Sequence, residues 1–341
     1  MIQLVKYFLL IIFSWGFLVS FAQDIQLSQT FANPTFLAPS FAGSTDGGRV
    51  LANYRNQWPS IPKAYITYML AGDYYFSSKK SGLGALLIRD VAGEGTIITT
   101  NIDLQYSYNI PISQFWEIRP GIQPSFNFKN LDYSSLIFKD QLLNGGSVSS
   151  IENFPSDKIF YMDFSASLLA FSVKNWIGFN VDHLLKPEYT FINGENKMPI
   201  YYSLFGGTKL DINGGLYTMK DEYLLLNFLY KNQQKYDQLD LGVFLQREKL
   251  GFGFFYRGIP ILKSYKKNYA NNDALIVMAG YRHKNLNIIY SFDLSISRLF
   301  SHSGNAHEIT LTYLFNQDLQ LKKKFKKKII DCPKFIDNDK I

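Results

Sequence analysis

From about residue 48 to Phe315, apolar and polar residues alternate along the chain, the period of a strand whose two faces meet different surroundings. Ile102, Leu104, Tyr106, Tyr108 and Ile110 fall on one side, and Asn101, Asp103, Gln105, Ser107 and Asn109 on the other. Leu286, Ile288, Tyr290, Phe292, Leu294 and Ile296 likewise oppose Asn287, Ser291, Asp293, Ser295 and Ser297, and Ile309, Leu311, Tyr313 and Phe315 oppose Glu308, Thr310 and Thr312. About fourteen segments follow the rule, starting near residues 48, 64, 81, 97, 115, 158, 175, 199, 222, 237, 249, 273, 285 and 306. Stretches such as 116–128 and 160–170 exceed the about 5 to 6 residues of a soluble sandwich strand and match the about 9 to 11 that cross a bilayer obliquely. Since lipid offers no partner to an open sheet edge, such strands must close into a barrel.

The joints carry a second pattern. Those after the second, fourth, sixth, tenth and twelfth segments are terse (77–80, 111–114, 172–174, 247–248 and 283–284), whereas 129–157, 183–198, 258–272 and 298–305 are long. Short turns on one side and long loops on the other predict an all-β fold, a transmembrane antiparallel β-barrel of the bacterial outer membrane with about fourteen strands and both termini periplasmic. The joint at 211–221 is longer than this parity wants.

Composition agrees with a lipid-facing surface: aromatic residues reach 16% and charged residues only 18%, against roughly 25% charged in a globular chain. Lys6, the apolar run from Tyr7 to Leu18 and the small residues Ser20 and Ala22 predict a signal peptide at 1–22, removed after Ala22. The domains expected are then 23–46 as a plug or periplasmic segment, 47–315 as the barrel, and 316–341 as a basic periplasmic tail. The net charge of +7 does not point to nucleic acid, because the tail concentrates eight lysines against four aspartates. Cys332 is the sole cysteine, so no internal disulfide forms.

Candidate chemistry is sparse. His183, His283, His302 and His307 fall at or beside strand ends and loops, where a wetted surface histidine is expected, and no GxSxG, HExxH, CxxC, EF-hand or Walker sequence is present. No catalytic, cofactor-binding or metal residue is assigned, and no cofactor is expected. The pair Gly82 and Gly84, inside a strand, suits close packing or curvature of the wall. Residues 24–46 carry Pro34, Pro39, Phe31, Phe36 and Phe41, apolar rings that are costly to leave in water. Two placements suit them: inside the barrel, or against its periplasmic mouth. In the tail, Lys322, Lys323, Lys324, Phe325, Lys326, Lys327 and Lys328, with Cys332 beyond them, are candidates for a periplasmic partner.

The chain resembles the PorP/SprF outer-membrane proteins of the type IX secretion system. The likeness rests on Ser28-Gln29, Asn33-Pro34, Pro39-Ser40-Phe41-Ala42-Gly43 and Tyr54-Arg55-Asn56-Gln57-Trp58. It continues through Gly82-Leu83-Gly84, Asp90, Gly93 and Tyr106-Ser107-Tyr108, and closes with Ser303-Gly304, His307-Glu308-Ile309, Tyr313 and Phe315. Ala38-Pro39 stands where the family has a second Asn-Pro. The resemblance implies a non-enzymatic outer-membrane component that assists secretion or surface attachment of cargo or adhesins, as in gliding motility. Its partners would be outer-membrane lipid, other secretion subunits and secreted proteins with C-terminal sorting domains. Phe31, Asn33, Pro34, Pro39, Phe41, Gly43, Arg55 and Trp58 become candidate plug or partner contacts. The alternative function is a porin or substrate-specific diffusion channel.

Overall fold

The computed structural model describes residues 24–61, 65–93, 97–143, 156–191, 196–212, 222–234, 236–259, 271–296 and 304–316. Among them fourteen strands form one antiparallel sheet. They are β1 (Gly48–Gln57), β2 (Tyr65–Phe76), β3 (Ser81–Ala92), β4 (Ile97–Tyr108), β5 (Glu117–Leu131), β6 (Lys158–Phe171) and β7 (Asn175–Asp182), then β8 (Tyr201–Asp211), β9 (Glu222–Gln233), β10 (Tyr236–Arg247), β11 (Leu250–Ile259), β12 (Asn271–His283), β13 (Leu286–Ser295) and β14 (Ala306–Phe315). A two-residue piece, Ile110–Pro111, prolongs the β4 edge and pairs with β5. Each strand pairs with the next in the chain, and β1 pairs with β14 from Gly48↔Phe315 to Gln57↔Ala306. The sheet is therefore a closed cylinder with no free edge. The predicted strand count holds, and no predicted start is misplaced by more than two residues.

The two ends of the cylinder differ. At the turn end, where Gly48 faces Phe315, β10 to β11 and β12 to β13 are joined by two-residue hairpins, with Arg247 facing Leu250 and His283 facing Leu286. Glu248 and Lys284 adopt the left-handed conformation there, which two-residue hairpins require and which asparagine or glycine more often supplies. At the loop end lie the long connections after β5, β7, β11 and β13. The β9 to β10 joint departs from the parity: it sits at the loop end, yet Gln233 faces Tyr236 across only two residues.

Alternation places Leu70, Leu83, Leu87, Leu104, Phe252, Phe254 and Tyr313 on the exposed outer surface. Asp103, Gln105 and Ser107 of β4 are buried, as expected for an inward polar face. On β6 and β8 to β12 the interior is not purely polar, because Phe171, Phe205, Leu225, Phe244, Phe255 and Met278 also point inward and are buried. What they meet is not water but a segment of the same chain.

Candidate functional site

Residues 24–46 run through the lumen from the loop end to the turn end. Asp24 meets His183, just beyond the loop-end tip of β7, and Gln233 at the loop-end tip of β9. Ser28 meets the loop-end half of β13 and β14, Asn33 reaches Thr310 near the middle of β14, and Ser40 N–H donates to Ser167 in the lower half of β6. Ala42 and Gly43 end the run at the turn end, beside Gly82, Ser107 and Asp73. Two short helices shape this path: α1 (Pro34–Leu37) and a single 3-10 turn, Pro39–Phe41. Each begins with a proline, whose fixed φ and missing N–H suit the first helical position.

One side of the segment is held by ions. Arg55 Nη1 lies 3.0 Å from Glu308 Oε2 and 2.9 Å from Asp293 Oδ2, with all three side chains almost wholly buried. Arg257 pairs with Asp240 at 3.3 Å and approaches Asp293 at 3.6 Å. Ser28 sits at the centre. Its hydroxyl accepts from Arg55 and Arg257, each at 2.9 Å, and donates to Asp293. One donated and two accepted bonds use the full capacity of a hydroxyl, and Ser28 N–H donates to Glu308 Oε2 at 2.7 Å as well. Gln29 Nε2 adds bonds to the Glu308 carbonyl and to Ser291 Oγ, and Asn33 Nδ2 bonds Thr310 Oγ1. Arg55 and Glu308 face each other in the β1/β14 ladder, so the strands that close the cylinder also grip the segment.

The other side is held by rings and close backbone contact. Phe31 stacks on Phe255 at a centroid distance of 5.2 Å with planes 2° apart, and meets Phe244 at 5.2 Å. Phe41 lies 5.4 Å from Phe205, and Leu27 packs with Leu51, Met69, Leu86 and Ile88. Gly82 is needed for a different reason from wall curvature: a Cβ there would collide with the Ala42 carbonyl, and one on Gly121 would collide with the Ser40 backbone. At the turn end Gly43 N–H donates to Asp73 Oδ2, which leaves Asp73 Oδ1 for Arg49 Nε, both at 2.8 Å.

Of the predicted contacts, Phe31, Asn33, Pro34, Pro39, Phe41, Gly43 and Arg55 come together in the lumen. Trp58 stands apart at the loop-end rim, packed edge-on against Tyr65 with its N–H bonded to the Asn305 carbonyl. The lysine-rich tail and Cys332, the signal peptide and His302 lie outside the described residues. His183 corrects the expectation of a wetted surface side chain, whereas His307 stays at the surface. His307 Nδ1 bonds the Tyr290 hydroxyl at 2.7 Å on the outer wall. His183 is held between Asp163, at 2.5 Å from Nδ1, and Asp24, at 3.0 Å from Nε2. Burial by itself disfavours the charged ring, but the Asp24 and Asp163 carboxylates outweigh it and raise its pKa to about 10. Position beside a strand end gave no sign of this, because Asp24 and His183 are 159 residues apart. Ser28, Gln29, Arg257, Asp293 and Glu308 were equally hidden as a group, although Ser28, Gln29 and Glu308 lie in stretches that carry the family likeness and Asp293 and Glu308 fall on the polar side of the alternation.

Beside Asp24, at the loop end, a cavity of about 220 Å³ is lined by Ile25, Phe36, Asp103, Tyr161, Tyr201 and Lys231 among others. Among the described residues no three His, Cys, Asp or Glu side chains are grouped as a metal would need.

A closed cylinder with an apolar belt and a lumen filled by its own chain defines the class: a transmembrane β-barrel of the outer membrane. The chain belongs to the PorP/SprF family of type IX secretion system membrane proteins, whose model matches residues 19–313. Among solved structures it is similar to the Acinetobacter baumannii outer membrane protein Omp33, with 10% identity over 80% of this chain and all of that one and a TM-score of 0.44. The Pseudomonas putida toluene transporter TodX gives 10% identity over 85% and 93% of the two chains and a TM-score of 0.44. The KdgM porin gives 11% identity over 78% and 99% and a TM-score of 0.35. Comparison with curated proteins finds no match.

Proposed function

We propose that the protein is a non-enzymatic component of the type IX secretion apparatus that assists the secretion or surface attachment of particular cargo proteins or adhesins. Its family membership carries this reading, and the lumen supports it. A segment threaded through the cylinder and tied to the wall by two buried arginines occupies much of the lumen, which suits a docking or anchoring role better than diffusion. In this reading 24–46 acts as a plug, the carboxyl terminus faces the periplasm, and the tail from Lys322 to Lys328 contacts secretion subunits there.

Co-purification from native membranes tests the proposal: secretion subunits and secreted proteins with C-terminal sorting domains should be retained, and their absence would argue against it. Truncation after Phe315 should leave the barrel folded and weaken the periplasmic partners. The rival channel reading draws on the loop-end cavity. A steady, high conductance of the intact protein in planar bilayers would favour that rival.

A further inference from the structure

We infer that the chain enters the barrel at the loop mouth, on the opposite side of the membrane from the start of β1, so that its mature amino terminus is displayed at the loop end and not in the periplasm, where the sequence pattern alone would put both termini. Every anchor along the segment agrees in order. Residue 24 is fixed at the tips of β7 and β9, residue 28 in the loop-end half of β13 and β14, residue 33 near mid-wall, residue 40 in the turn-end half of β6, and residues 42 and 43 at the turn end. Gln26 adds a bond to Gln238 near the loop-end start of β10. The described chain therefore enters the lumen at Asp24 from the loop end and leaves it at the turn end, where β1 begins.

The anchors Arg55, Glu308 and Thr310 belong to the first and last strands of the barrel, so the seated segment lies across the seam that closes the cylinder. The inference rests on the lumen path and on leader cleavage, not on the secretion role.

The test uses the full chain with Cys332→Ser as background. Single cysteines are placed at the loop end (Leu142→Cys), at the turn end (Ser78→Cys) and at the terminus, through a Gly-Ser-Cys insertion between Gln23 and Asp24. A membrane-impermeant maleimide is then applied to one side of the membrane at a time, and Edman degradation or intact mass reads the first residue. The inserted cysteine should label from the side that labels Leu142→Cys, with labelling lost from the side that labels Ser78→Cys. Ile25→Cys, which adds no residues, repeats the measurement if the insertion disturbs folding, and heat-modifiable gel mobility reports the closed barrel. Labelling shared with Ser78→Cys, or a closed barrel that still carries residues 1–22, would overturn the inference.

Discussion

The segment that fills the lumen is held by two unlike surfaces. Toward β11, β13, β14 and β1 it meets Arg55, Arg257, Asp293 and Glu308; toward β8 to β12 it meets Phe205, Phe244 and Phe255. The ionic surface is directional. Each charge there depends on the next, and Ser28 Oγ completes three of the bonds. The aromatic surface works by area and tolerates small shifts, since burial has no preferred direction. The ionic side therefore sets the register of the segment in the barrel, and the aromatic side supplies much of the adhesion. The ionic side also lies on the closing seam, which couples plug seating to closure of the cylinder.

Breaking the ionic side should have the largest effect. Arg55→Ala strands Glu308 and Asp293 without their shared cation, a loss of about 3–5 kcal/mol for a broken buried pair. It should lower the urea midpoint of the detergent-folded protein and also weaken the heat-resistant gel form, because the seam itself is affected. Phe31→Ala comes next, at about 3 kcal/mol for an emptied aromatic site. It should raise conductance in planar bilayers as the segment loosens, yet leave the heat-resistant form intact, since β10 and β11 keep their ladder. Equal damage to the seam by both variants would erase the proposed division of labour. Ser28→Ala, which removes one hydroxyl among three charged neighbours, is expected to cost about 2 kcal/mol, measured by the same urea titration, and Ser28→Thr should recover part of it.

The smallest effect concerns the loop-end tie. The folded pKa of His183, about 10, lies above the usual value of 6.5. Its contribution is thus full below about 6.5, declines as pH rises across the interval, and is gone above about 10. A urea midpoint that falls over this range in the wild type and stays flat in His183→Gln would confirm the sign. Parallel behaviour of the two proteins would remove His183 from the set of anchors.

Much of the architecture was legible in the linear chain. Leu104 and Tyr106 against Asp103 and Gln105 told which side faces lipid, and the terse joints at 247–248 and 283–284 marked the hairpins that the structure contains. Gly82 was legible as a packing position, but its partner, the Ala42 carbonyl, was not. The inward placement of Phe244 and Phe255 was not legible for the same reason: a strand's own pattern reports that a face is buried, not what buries it.

Period-two alternation is a local property, so strand number, strand starts, the outward apolar belt and the membrane class follow from the order of residues alone. Joining β1 to β14 is not local. Only the closed tertiary structure brings Ser28 to Glu308 and Asp24 to His183, and it alone decides that residues 24–46 cross the lumen from one mouth to the other. Ring closure creates these neighbours from positions far apart in the chain, and no short window of sequence contains both partners.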